Sequence, residues 1–237
     1  MCARYCMRNV NPILAELLEG IDWDAVPPRV NVAPGTDVLT IDQVMEGRQL
    51  VMRRWGLVPR WMTPQLSRRN APMINARSET IAERPTFRAS FRDRRCVLPA
   101  DGYLEWREVG SVKQPYLVQL NEGEGLRLAG LWDRIDGPAG SQETCVIATT
   151  SPAPALLELH DRMPVLLTRE GADLWLDPTT PPPVLQALLC PWSGEGLSYH
   201  AVDRRVGNPR FQDPAMLSPV DDPFERAEPP QGQLDFG

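Results

Sequence analysis

The sequence predicts an α+β domain, a single compact unit whose mostly antiparallel sheet is barrel-like and flanked by short helices. Three observations predict it. β-Branched and aromatic residues gather in short runs separated by Gly, Pro and Asp clusters. These runs outnumber the helical patterns and do not alternate regularly with them, as a parallel α/β fold would require. Nothing repeats internally, and no linker composition divides the chain before about Ser218.

Taken in order, Asn11 and Pro12 read as an N-cap and first helical position, followed by an amphipathic helix that stops at Gly20. Strands are expected over Asp37–Ile41, Arg48–Val58, Arg94–Val109, Gln114–Leu120, Leu126–Ile135, Glu143–Thr150, Met163–Thr168 and Leu197–Val202. Short helices are expected over Ser78–Glu83, Pro154–His160, Gly171–Leu176 and Pro183–Leu189. After Pro219 the composition turns acidic and proline-rich, so residues 1–219 read as the domain and 220–237 as a flexible tail.

Composition narrows the function classes. No apolar run approaches the roughly 20 residues of a membrane helix, and the N-terminus lacks an apolar signal core, so a cytoplasmic protein is expected. Five cysteines cannot all pair and form no C-x-x-C, which favours reduced thiols. With only two histidines, no metal site and no cofactor is expected. The net charge of −6 conceals a segment of opposite sign. From Arg53 to Arg95, eleven arginines face three acids, Glu79, Glu83 and Asp93. Lys113 is the one lysine, so nearly every cation is a guanidinium able to grip phosphate through two bonds.

The chain begins MCARYCMRNV. If Met1 is trimmed, Cys2 carries a free α-amine beside its thiol, a 1,2-aminothiol that no internal cysteine offers. Elsewhere the stretches NVAPGT, WGLVPRW, NARSET, RRCVLPADGYLEW, HDRMPV and AVDRRVGNP stand out. Together with MCARY, in this order and spacing, they resemble the SRAP family, the SOS response-associated peptidase-like proteins, from Met1 to about Pro219. The resemblance implies recognition of abasic sites in single-stranded DNA and covalent capture by the N-terminal cysteine, in the cytoplasm and on the nucleoid after damage. Amine attack on the open-chain sugar aldehyde gives an imine. Addition of the thiol then closes a thiazolidine. Cys6 reads as core or wall.

The same resemblance implies roles for other residues. Asn75 is the active-site amide that orients the N-terminus or the sugar. Glu105 and His160 move protons during ring opening and imine formation. Taken singly these would read as a turn-forming Asn, a solvent-facing strand Glu and a helix-end His. Glu105 shares a strand face with Tyr103, opposite Leu104 and Trp106. Arg4, Arg77 and Arg162 are implied phosphate contacts, with Arg77 expected beside a helix N-terminus at Ser78. Pro34 and Trp61 are the implied apolar wedge that unstacks the strand. Two departures stand out: Ala3 replaces the common Gly, and the segment from Thr63 to Pro72 is long, with Met62 where the family can carry a second aromatic.

Two other classes compete, an N-terminal-nucleophile thiol peptidase or amidase and a non-catalytic single-strand binding module. Implied partners are single-stranded DNA with abasic sites and no membrane, with the chain a monomer. The tail adds Gln231, Leu234 and Phe236 in a Q-x-x-L-x-F pattern, which resembles the peptides that bacterial replication proteins insert into the sliding clamp.

Overall fold

The structure is a computed structural model that describes residues 2–8, 28–62, 71–120, 125–137 and 140–224. Met1, the helix expected after Asn11, most of the long segment before Pro72 and the tail carrying Gln231, Leu234 and Phe236 lie outside the described residues. The strands are β1 (Tyr5–Met7), β2 (Arg29–Val32), β3 (Asp37–Val44), β4 (Gly47–Trp55), β5 (Asn75–Arg77) and β6 (Arg95–Ala100). They continue with β7 (Gly102–Val109), β8 (Val112–Leu120), β9 (Leu126–Gly137), β10 (Gly140–Thr150), β11 (Met163–Pro164) and β12 (Leu197–Ala201). Three helices are described, α1 (Arg88–Asp93), α2 (Arg169–Leu176) and α3 (Pro182–Ala187).

Five strands close into a barrel in the order β10-β4-β3-β6-β9, because β9 pairs back onto β10 from Gly137↔Gly140 to Gly130↔Ile147. Closure leaves no free edge within that ring. A second antiparallel sheet, β12-β8-β7-β1-β2, packs against it. A core that draws Tyr5 and Tyr103 from this sheet and Leu98, Leu128 and Ile147 from the barrel fills the space between them. The fold class is thus as expected, mostly antiparallel with few short helices.

Several elements differ from expectation. The run Arg94–Val109 divides at Asp101, where the chain leaves the barrel as β6 and enters the second sheet as β7. Gly102 permits the crossing, since a Cβ there would lie 2.8 Å from both Leu117 Cδ1 and Val118 O. Ser78–Glu83 forms turns rather than a helix. The Ser78 N–H donates to Thr149 O and continues the pairing of β5 with β10. The helix comes later, at α1, where Ser90 and Phe91 are buried. Pro154–His160 makes only a 3-10 turn over Pro154–Leu156. Helix α2 follows expectation, its first turn capped by the Thr168 hydroxyl accepting from Gly171 N. The packed chain extends past Pro219 to Phe224. Val220 N donates to Ala201 O, Tyr116 Oη lies 2.6 Å from Asp222 Oδ1, and the Phe224 ring packs on the core beneath Arg107. Among the described residues, no helix is long and apolar enough to cross a membrane.

The arginine-rich segment is divided by this fold. Arg53, Arg94 and Arg95 are buried, while Arg54, Arg60, Arg77, Arg84, Arg88 and Arg92 are exposed. Arg95 donates to Trp175 O, Phe91 O and Asp177 O, closing the carbonyl end of α2. Arg53 is 1 % exposed, lies 4.1 Å from the centre of the Trp132 ring, and donates to Asp42 at 2.6 Å, Thr40 at 2.7 Å and Glu143 at 2.9 Å. Removing one partner of such a pair leaves the other charge buried alone, at a cost of about 3–5 kcal/mol. Arg53→Ala is therefore expected to lose about that much stability in urea or thermal denaturation, whereas Arg84→Ala, on the surface, should change it by less than about 0.5 kcal/mol.

Candidate functional site at the chain start

The site forms where β10 exchanges its neighbours. Along its first part β10 lies between β9 and β4, but at Ile147–Thr149 the partner on one side becomes β5, and at Thr149–Thr150 the partner on the other becomes β11. Thr149 thus stands between Arg77 and Pro164, bringing the NARSET and HDRMP segments to the same strand end. The second sheet supplies the rest. β1 pairs with β7 through Tyr5↔Tyr103 and Cys6↔Gly102, and Leu104 N donates to Arg4 O. That register carries the first residues alongside Glu105.

Cys2 is completely buried in the core between the sheets. Its carbonyl accepts the Asn75 side-chain amide at 2.8 Å. Asn75 is held by the parallel pairing of β5 with β10 rather than by a turn. The amide's own Oδ1 is buried with no partner among the described residues. Burial pushes the Cys2 thiol well above the usual thiol range, and the nearby Glu105 carboxylate adds to the effect. Cys6, as expected, is a wall residue. It is buried among Val30, Leu104 and Leu117, and its thiol is pushed up to about 12, chiefly by burial. Ala3 shows no strain, since among the described residues only glycines have positive φ.

Glu105 is 4 % exposed. Tyr103 lies in the core between the sheets while Leu104 and Trp106 pack on the other face of β7, so the expected strand alternation holds. Desolvation raises the Glu105 carboxyl above its ordinary range. His160 faces it, with Nε2 3.7 Å from Oε1. The other ring nitrogen, Nδ1, accepts the Arg162 backbone N–H at 3.0 Å and lies 2.8 Å from Asp161 Oδ1. The first contact needs a lone pair on Nδ1 and the second a proton. In the neutral ring the two contacts compete, and the tautomer that accepts the backbone bond carries its proton on Nε2, directed at Glu105. The chain start, Asn75, Glu105 and His160 thus converge from four separate segments.

The implied DNA contacts divide into three kinds. Arg77 is exposed at the rim, without the helix N-terminus that was expected beside it. Arg162 is engaged on the rim, its guanidinium paired with both oxygens of Glu79 and donating to Thr149 O at 2.6 Å. Arg4 turns inward. It donates to Asn31 Oδ1 at 2.9 Å, Val206 O at 3.0 Å and Gly207 O at 3.2 Å, tying β1 to the AVDRRVGNP segment. Asn31 completes that clamp by donating to Val206 O and Asn208 O.

The apolar pair sits on built turns. Ala33–Thr36 has Pro34 in its second position and Gly35 at φ 80 in its third, the pattern of a type II turn. Gly35 N donates to Trp55 O, and Trp55 Nε1 donates to Ile74 O next to Asn75, so this turn and the site share one support. Trp61 is 56 % exposed and not part of the core. Arg60 fixes its turn by donating both backbone N–H and Nε to the buried Asp133. Sequence reasoning missed Thr149, Asp133 and Glu79. Only Glu79 left a signal, an acid inside a motif otherwise read as cationic.

Comparison with known proteins agrees with this arrangement. The family model described as SOS response associated peptidase (SRAP) matches residues 1–209. The abasic site processing protein YoqW of Bacillus subtilis is 36 % identical over 193 residues, 80 % of this chain and 85 % of that one. YedK of Escherichia coli, also named an abasic site processing protein, is 31 % identical over 93 % of this chain and all of its own. HMCES of Xenopus tropicalis, named likewise, is 32 % identical over 84 % of this chain and 68 % of its own. Among solved structures, a Bacteroides thetaiotaomicron protein superposes with a TM-score of 0.78 at 24 % identity, covering 92 % of this chain and all of that one. With the family model spanning most of its length, the chain belongs to the SOS response associated peptidase (SRAP) family.

Proposed function

We propose that this protein captures abasic sites in single-stranded DNA through the 1,2-aminothiol of a Cys2 exposed by removal of Met1. The observation that carries the reading is the convergence of the chain start, Asn75, Glu105 and His160 at one strand end. The α-amine adds to the C1′ aldehyde, and the carbinolamine loses water with a proton delivered by Glu105 or His160. The thiol sulfur then bonds to the imine carbon while its proton moves to the nitrogen, closing a thiazolidine. The unpartnered Asn75 Oδ1 suits a donor there, either the freed amine or a sugar hydroxyl. Arg77 at the rim and the exposed Trp61 beside the Pro34 turn suit a strand held by phosphate contacts and base stacking.

The thiol peptidase reading is weaker for a physical reason. Such enzymes attack with a thiolate, and here burial disfavours ionisation of the thiol. The covalent reading asks the thiol only to trap an imine already formed beside it.

Incubation with abasic single-stranded DNA should give a denaturation-resistant band, lost in Cys2→Ala with DNA binding nearly intact. An active preparation whose mass shows Met1 retained would sink the aminothiol mechanism.

Glu105→Gln should slow adduct formation by about a hundredfold or more, the usual weight of a positioned proton-transfer group, with little change in Kd. The same variant should gain stability. Because the folded-state pKa of Glu105 is raised, its burial is tolerated below the unfolded value and becomes destabilising as pH rises through the folded one. Urea titrations should show Glu105→Gln more stable than wild type at pH 8, with the difference vanishing toward pH 4. A variant less stable at pH 8 would mean the charged carboxylate supports the fold.

The Q-x-x-L-x-F residues of the tail lie outside the described residues, and the sliding clamp is their proposed partner on sequence pattern alone. A terminal peptide should bind the clamp in a titration, and Leu234→Ala/Phe236→Ala should abolish binding. No binding at high micromolar peptide removes the idea.

A further inference from the structure

Both terminal nitrogens of the Arg162 guanidinium are already paired within the protein. Its side chain is 14 % exposed, and its two terminal nitrogens pair with both carboxylate oxygens of Glu79. One of them also donates to Thr149 O at 2.6 Å and lies 3.4 Å from Thr149 Oγ1. A carboxylate held in this two-pronged manner offers the same pair of acceptor oxygens as a backbone phosphate. Glu79 itself is about half exposed and belongs to the turns that follow β5, so it can be displaced without unpicking the sheet. The Arg162 pairing holds the Glu79 carboxyl below its ordinary range, so the competing group stays ionised.

We infer that Glu79 is an affinity-determining residue, an internal anion that occupies the phosphate-gripping face of Arg162 and must be displaced by the DNA strand. The inference rests on the reading that this rim faces single-stranded DNA, and it assigns a role to a side chain that the covalent chemistry does not use. Thr149 keeps the guanidinium in place during the exchange, because its backbone oxygen anchors Arg162 independently of Glu79. Arg77, across Thr149 in the strand register, has no such partner among the described residues and is available throughout. One rim arginine is thus open and the other masked.

The test uses full-length protein and an undamaged single-stranded oligonucleotide, with binding followed by anisotropy across a salt series. Glu79→Gln keeps one acceptor oxygen but removes the charge. It should bind about two- to fivefold more tightly at low salt, the weight of one exposed ion pair. Its log–log salt slope should stay near that of wild type, because the same phosphate is neutralised in both once Glu79 is displaced. Arg162→Ala should make the slope shallower by about 0.7. In the Glu79→Gln background it should erase the gain. Arg77→Ala should make the slope shallower by about 0.7 in either background. Glu79→Asp, which keeps the charge, should behave as wild type. Weaker or unchanged binding in Glu79→Gln, or a gain that survives loss of Arg162, overturns the proposal. Failure of wild type to form an adduct with abasic DNA would remove the covalent reading and leave these slopes standing. Failure of wild type to bind any single strand would remove both.

Discussion

The pairing of β1 with β7 is the contact on which the site depends. A chain terminus ordinarily frays, because its last residues have few partners to offset the loss of conformational freedom. Here Tyr5 opposes Tyr103, Cys6 opposes Gly102, and Leu104 donates to Arg4 O, so the terminus enters the second sheet as a strand. The Arg4–Asn31 clamp holds that strand from outside, and the Asn75 bond to Cys2 O holds it from the barrel side. Cys2 is thereby placed as a core residue.

Burial at the site works against stability and in favour of chemistry. A carboxylate at 4 % exposure is desolvated, and so is the thiol beside it. Both are therefore biased toward their protonated forms, which suits the proton transfers proposed for Glu105. His160 completes the arrangement, its Nδ1 meeting both the Arg162 backbone N–H and Asp161 Oδ1. The backbone bond survives any substitution at Arg162 other than proline.

The arginine-rich segment shows how charge counts in a sequence mislead. Its excess of cations looks like one basic surface, yet Arg53, Arg94 and Arg95 serve the interior. Arg95 closes a helix end and Arg53 joins two strands through Asp42 and Glu143. Guanidinium suits both tasks, since its five donors can satisfy several buried carbonyls or carboxylates together. Asp133 does the reverse, a buried acid holding Arg60 and with it the turn that displays Trp61.

Much of the fold was legible because strand runs carry their signal locally, in side-chain type and alternation. The strands β3, β4, β7, β8, β9 and β10 and the helices α2 and α3 were read this way. So was the face of β7 shared by Tyr103 and Glu105. Short elements were not legible. β1, β2 and β5 are three or four residues long and exist only because a distant strand pairs with them. Ser78–Glu83 has helical composition but closes isolated turns, Thr80 N to Arg77 O and Glu83 N to Thr80 O, and the helix forms instead at Arg88, where Phe91 finds a core to enter. The sequence by itself determined which chemistry was available, since a cysteine next to Met1, an amide, a carboxyl and an imidazole are present whatever the fold. Tertiary structure alone decided which arginines face solvent, that Arg4 is a tie and that Glu79 covers Arg162. Those outcomes depend on which backbone groups compete for each donor, and that competition is settled only when distant segments meet.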